Sequence, residues 1–121
     1  MRKRQRIKAD KEFQRVFDRG RSVANRQFVV YTYANPQLKE FRIGLSVGKR
    51  VGNAVTRNRV KRYIRQAMQS FDGELKVMDY VIIARPPTAQ LTYDETRSSL
   101  QHVLRIARSL PKAPSNQKKT S

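Results

Sequence analysis

The amino-acid sequence predicts a small two-layer α/β sandwich, a mixed four-stranded sheet with about three helices. Three observations point to it. Segments with helical apolar spacing alternate with segments rich in β-branched and aromatic residues. One unbroken apolar run, Tyr80–Ala84, has strand length and suits a strand covered on both faces. The chain, at 121 residues, fits a single domain with a modest core.

The elements follow in order. Residues 1–8 form a basic arm, expected to be mobile in the unbound protein. A single domain spans 9–110, and 111–121 is a flexible basic tail rich in Pro, Ser, Asn, Gln and Lys. Asp10 stands where an N-cap belongs, Phe13, Val16 and Phe17 share one helical face, and Gly20 stands where a C-terminal glycine belongs. Gln27–Tyr33 reads as a strand that ends at Asn35-Pro36, and Arg21–Asn25 is placed beside it in the same sheet. Phe41–Val47 alternates, with Ile43, Leu45 and Val47 on one side and Arg42, Gly44 and Ser46 on the other, as a half-buried strand does. Gly48 and Gly52 bracket a loop that leads into a helix, and Asp72-Gly73 marks the turn after it. Thr92-Tyr93-Asp94-Glu95 has capping-box spacing and opens a last helix carrying Leu100, Val103, Leu104 and Ala107.

Charge narrows the partners. Lys and Arg number 27 against nine acids, a net charge of +18. Such a balance points to nucleic acid or an anionic membrane surface. No apolar run approaches the ~20 residues needed to span a bilayer, and no apolar segment follows the basic start as a signal peptide requires. With no cysteine, disulfides and thiolate metal sites are excluded, and a cytoplasmic protein is expected.

The densest charge lies in Lys49–Arg65, which holds seven basic residues and no acid. Val60, Tyr63, Ile64, Ala67, Met68 and Phe71 recur at helical spacing through it. Asn58, Arg62 and Arg65 fall opposite that stripe, Lys61 and Arg59 flank it, and Arg57 lies nearer its edge. Like charges at this spacing repel, so a face without interspersed acids is built for a polyanion.

Catalytic constellations are not legible. His102 stands alone in a helix, most carboxylates sit at helix starts or turns, and Gly48–Gly52 lacks P-loop spacing. A small-molecule substrate is not expected. Nucleic-acid binding survives as the class. Phe13 and Phe17, with Val29, Tyr31 and Tyr33 on one strand face, form a candidate platform for unpaired bases, rimmed by Lys8, Lys11, Arg15 and Arg19. The same rings also fit an ordinary core. A structural RNA-binding protein of ribosomal type and a helix-in-groove DNA binder remain open alternatives.

Arg57-Asn58-Arg59, followed by Val60-Lys61-Arg62-Tyr63-Ile64-Arg65 and preceded by Gly52-Asn53-Ala54-Val55, resembles the RNR motif of the protein subunit of bacterial ribonuclease P. Phe13–Phe17 with Gly20, Ser22–Phe28, Ile43–Val47, Asp79–Arg85 and Gln90–Tyr93 match in the same order, so the resemblance covers about residues 3–108. It implies a left-handed crossover between parallel strands around the RNR helix. It also implies a function, removal of the 5′ leader from precursor tRNA, with catalysis by a partner RNA and Mg2+ bound mainly by that RNA. By the same resemblance Lys49, Arg50, Asn53, Arg57, Asn58, Arg59, Lys61, Arg62 and Arg65 dock on the catalytic RNA. The single-stranded leader would lie in a cleft of Lys8, Phe13, Arg15, Phe17, Val29 and Tyr31. No ligand set for a protein-bound metal is assigned. The family's cleft can include an aromatic near the end of the last helix, where this chain has Leu110-Pro111.

Overall fold

The computed structural model describes residues 2–111; the predicted tail beyond Pro111 lies outside the described residues. Helix α1 (Asp10–Arg19) is followed by strands β1 (Arg21–Ala24), β2 (Phe28–Tyr33) and β3 (Arg42–Val47). Helix α2 (Ala54–Ser70), strand β4 (Asp79–Ala84) and helix α3 (Tyr93–Ile106) complete the domain. The sheet order is β1-β2-β4-β3, with β1–β2 and β2–β4 antiparallel and β3–β4 parallel.

Period-2 alternation sorts the strand residues onto two faces. Phe28, Val30, Ile43, Tyr80 and Ile82 join Val60, Ile64, Ala67 and Met68 of α2 and Leu100, Val103 and Leu104 of α3 in the main core. The other face carries a smaller cluster, Ile7, Val16 and Val81, with half-buried Phe13, Tyr31, Tyr33 and Ile83 around it. Thus α2 and α3 cover one face of the sheet, and α1 alone crosses the other.

The hand of the β3–α2–β4 connection follows from stereochemistry. With β3 running upward and the Ile43 side chain toward the viewer, an L-residue directs its N–H and C=O to the viewer's right. The Ile43 carbonyl accepts from Ile7 N–H at 2.8 Å, so the N-terminal segment lies to the right and β4 to the left. Ile43 faces the layer that holds α2. The chain therefore rises through β3, descends in front through α2 and returns on the left. The crossover is left-handed, against the usual right-handed rule.

Several local expectations change. The N-terminal arm is not free: Lys3–Gln5 forms a 3-10 turn, Gln5 and Ile7 are 3% and 5% exposed, and Arg6 bridges to Ile43 at the free edge of β3. Arg2 and Arg4 both pair with Glu40. A single apolar anchor, Ile7, and an unpaired strand edge outweigh the local charge. Asp10 is the first helical residue and Ala9 the N-cap, with no side-chain cap, so Asp10 and Glu12 act on the helix dipole instead. Thr92 and Glu95 do form their reciprocal capping box, at 3.1 and 2.9 Å.

Gly20 ends α1 in an extended conformation with φ −82°, so a left-handed turn is not what requires glycine there. Close approach is: a Cβ would stand 2.5 Å from the carbonyl oxygens of both Thr32 and Val16. Gly20→Ala should therefore lower stability by about 1–3 kcal/mol, as overpacking does, read as a reduced urea midpoint at unchanged m-value.

Candidate nucleic-acid interface

Helix α2 begins at Asn53, whose Oδ1 accepts from Thr56 N–H at 2.9 Å. That cap fixes the phase of everything after it. Val60, Ile64, Ala67 and Met68 turn inward, and Asn58 and Arg62 are exposed. Arg62 lies over the Tyr63 ring at 5.5 Å. Arg57 donates from Nε to the Gly52 carbonyl at 3.1 Å and Arg59 from Nη2 to the Ala89 carbonyl at 2.5 Å. Each thus holds the fold with one donor and keeps others for a ligand, since a guanidinium has five. Lys49 and Arg50 are exposed in the preceding loop, which buried Val51 anchors.

Arg65 departs from its expected place. It is half-buried rather than outward, and shares a concave seam with Arg6, Lys8, Phe13, Leu45 and Lys61. Burial pulls its pKa below the usual arginine value, and the charge of Arg6 adds to this. The helical wheel missed it because the wheel knows nothing of the N-terminal segment folding alongside.

The cleft lies on the face crossed by α1. Gly44, Val81 and Tyr31 form one cross-strand row. Phe13 lies over Gly44, where a Cβ would meet its ring at 2.6 Å, and the Phe17 ring meets Tyr31 edge-on at 4.9 Å. The next row, Ser46, Ile83 and Val29, is left partly open. Phe17 remains 37% exposed, whereas Val16 beside it is fully buried. Lys8 is exposed beside Phe13, and Arg15 is exposed on α1. The structure therefore brings Phe13, Phe17, Val29 and Tyr31 to one face of the sheet, with Lys8 beside Phe13 in the seam that leads to α2, whereas Arg15 lies on the solvent side of α1. Sequence reasoning missed Ile83, hidden in a run read as wholly covered, and Arg6, hidden in an arm read as mobile.

A buried ionic brace sets the angle of α1. Arg42 binds Asp79 through Nε–Oδ1 at 2.7 Å and Nη2–Oδ2 at 3.0 Å, and reaches Glu12 on α1 through Nη1 at 2.7 Å. Asn35 Nδ2 donates to Asp79 Oδ2 at 3.1 Å. The Asp79 hydrogen bonds, more than the Glu12 ones, raise the Arg42 pKa further, and the Arg42 hydrogen bond holds the Glu12 carboxyl below its usual range.

His102 is exposed, and its Nδ1 lies 3.3 Å from Asn25 Nδ2. Asn25 in turn accepts from Gln27 and Phe28 N–H at 3.1 and 2.8 Å, so this group shapes the β1–β2 turn. Among the described residues no three His, Asp or Glu side chains come together to hold a metal ion.

The family model described as Ribonuclease P matches residues 1–108. The chain belongs to the ribonuclease P protein family. It is 56% identical over 105 residues to the ribonuclease P protein component of Bacillus velezensis, across 87% of this chain and 90% of that one. The Geobacillus ribonuclease P protein component is 57% identical over 111 residues, 91% and 96% of the two chains. Among solved structures, the Staphylococcus aureus ribonuclease P protein superposes with a TM-score of 0.84 at 45% identity, over 88% of this chain and 98% of that one. The Thermotoga maritima ribonuclease P protein gives 0.75 at 27% identity, over 84% and 96%. Ribonuclease P proteins thus share this mixed sheet and its helices at quite different levels of identity.

Proposed function

We propose that this chain is the protein component of a bacterial ribonuclease P, the ribonucleoprotein that removes the 5′ leader from precursor tRNA. The observation that carries the reading is the junction of two surfaces, a cationic helix face and a half-open aromatic groove, at the seam of Arg6, Lys8, Lys61 and Arg65.

The α2 face docks on the catalytic RNA through Lys49, Arg50, Asn53, Arg57, Asn58, Arg59, Lys61, Arg62 and Arg65. Phosphate contacts of this kind position a partner without reading its bases. Asn53 offers its amide nitrogen to a phosphate while its oxygen caps the helix. The groove of Lys8, Phe13, Arg15, Phe17, Val29 and Tyr31 takes the single-stranded leader, with bases stacking on its exposed aromatic faces. Chemistry belongs to the RNA and its Mg2+; the protein's part is electrostatic. Its cations offset repulsion between precursor and catalytic RNA, so fewer Mg2+ ions are needed to bring them together. No helix among the described residues is long and apolar enough to cross a membrane. The proposed place of work is the cytoplasm, where precursor tRNA is made.

Reconstitution tests this. Added to a bacterial ribonuclease P RNA, the chain should lower the Mg2+ concentration required for precursor cleavage and tighten precursor over mature tRNA. The protein without RNA should cleave nothing. Robust cleavage by RNA-free protein, abolished by removing one carboxylate, would place catalysis on the protein and overturn its assignment to the RNA.

A further inference from the structure

A second cationic concavity, of about 560 Å3, lies past the C-terminal ends of α1 and α3. Arg19, Arg21, Lys76 and Arg108 line it from three separate stretches of chain, with Tyr33 and Met78 among its walls. No acid lines it, and among the described residues none of the four cations forms an ion pair. The C-terminus of α3 does not account for them. Its last carbonyls already accept from Ala107, Arg108 and Ser109 N–H at 3.0, 3.0 and 2.9 Å. That arrangement is a Schellman cap, whose left-handed position normally holds glycine. Here Arg108 occupies it, at φ 60°. A long cation kept in a conformation that disfavours side chains marks the position as used.

Two features connect this basin to the groove. Lys11, Arg15 and Arg19 recur every fourth residue and are all exposed, so they form a cationic ridge along α1. At 1.5 Å rise per residue the ridge runs roughly 12 Å along the solvent side of α1 and ends at Arg19 on the basin wall. Tyr33 belongs both to the apolar cluster under α1 and to the basin wall.

We propose that the basin binds the phosphodiester backbone of leader nucleotides lying beyond those held in the aromatic groove, so that a long leader gains contacts a short one lacks. This rests on the leader reading above. The occupant is single-stranded RNA because it continues the leader strand held in the aromatic groove.

The test uses holoenzyme assembled from the full chain and a bacterial ribonuclease P RNA. Mature tRNA and precursors with graded leader lengths are bound to wild type, Arg108→Gly and Arg21→Gln/Lys76→Gln. In the variants, the affinity gained on lengthening the leader past the groove should fall several-fold. The salt slope for the long leader should drop by roughly 0.7 per lost single-strand phosphate contact. Short-leader and mature tRNA affinities should hold. Arg108→Gly suits its backbone angle, so its Tm should stay level or rise, which separates lost contact from lost fold. If leader length matters to wild type and the variants retain that dependence in full, the basin proposal is wrong. It is equally wrong if mature tRNA weakens as much as the long precursor. Should wild type bind every leader length and mature tRNA alike, the leader reading itself fails.

Discussion

Arg42→Ala should lower the unfolding free energy by about 3–5 kcal/mol, the range for removing one partner of a buried ion pair. Asp79 is 2% exposed and takes both arms of the Arg42 fork. Without that fork its carboxylate keeps only the Asn35 amide at 3.1 Å, beneath α1 and away from water. Arg42→Lys retains the charge but not the two-pronged geometry, and should recover only part of the loss. The same substitution releases Glu12 from the sheet, so α1 loses its polar tie and the groove its fixed width. Leader-dependent affinity should fall along with stability. Urea unfolding of both variants measures the first effect, and precursor-against-mature tRNA binding the second. A loss below about 1 kcal/mol would mean that Asp79 finds other partners, and that the brace is dispensable.

The brace also carries a pH signature. The Glu12 carboxyl is depressed, chiefly by its hydrogen bond to Arg42. A depressed acid stabilises the fold at pH values above its unfolded pKa, near 4.5, and that contribution disappears as the pH falls through the lower native value. Wild-type stability should therefore decline on acidification below about pH 4.5, and Arg42→Ala should lack this share of the decline.

The order of elements was legible because periodicity is local. Apolar spacing placed α2 and α3, alternation placed β2 and β3, and Thr92 and Glu95 announced their own cap. What was not legible depends on residues far apart in the chain. Arg42 reads as one polar position of a half-buried strand; nothing in the sequence ties it to Glu12 or Asp79, which are 30 and 37 positions away. Gly20 reads as a helix stop, yet it is needed by a carbonyl of β2. Ile7 sits among cations and was read with them, although its burial is what brings Arg6 beside Arg65. The groove shows the limit most plainly. An aromatic on an apolar helical face looks the same whether it faces core or cleft. The difference is made by α1 lying over the Gly44–Val81–Tyr31 row and leaving the Ser46–Ile83–Val29 row open. That offset is a property of the packed sheet, and the resemblance to a known family stood in for it.

Phe17→Ala combined with Tyr31→Ala should reduce the affinity added by the leader at least ~5-fold, the loss of one stack, since stacking is worth roughly 1–3 kcal/mol per base. The rings meet edge-on at 4.9 Å, so each supports the other's orientation and the two losses should not simply add. Tyr31→Phe keeps the ring and should retain most of the affinity. Phe17 is partly exposed in the free protein, so its truncation removes less of the core than its neighbour Val16 would; unfolding curves taken alongside check that the variant is folded. Affinity for the catalytic RNA should be unaffected, because neither ring lies on the exposed side of α2. Arg62→Ala should do the reverse. It should weaken the catalytic RNA complex and lower its salt slope by about one unit, with the leader's share of substrate affinity preserved. The seam of Lys61 and Arg65 with Lys8 and Phe13 makes this separation a demanding one, because a strand in the groove passes close to the docked RNA. If the aromatic pair and Arg62 lose the same property in the same proportion, groove and helix are one surface. The division between holding the ribonucleoprotein together and selecting its substrate would then have to be abandoned.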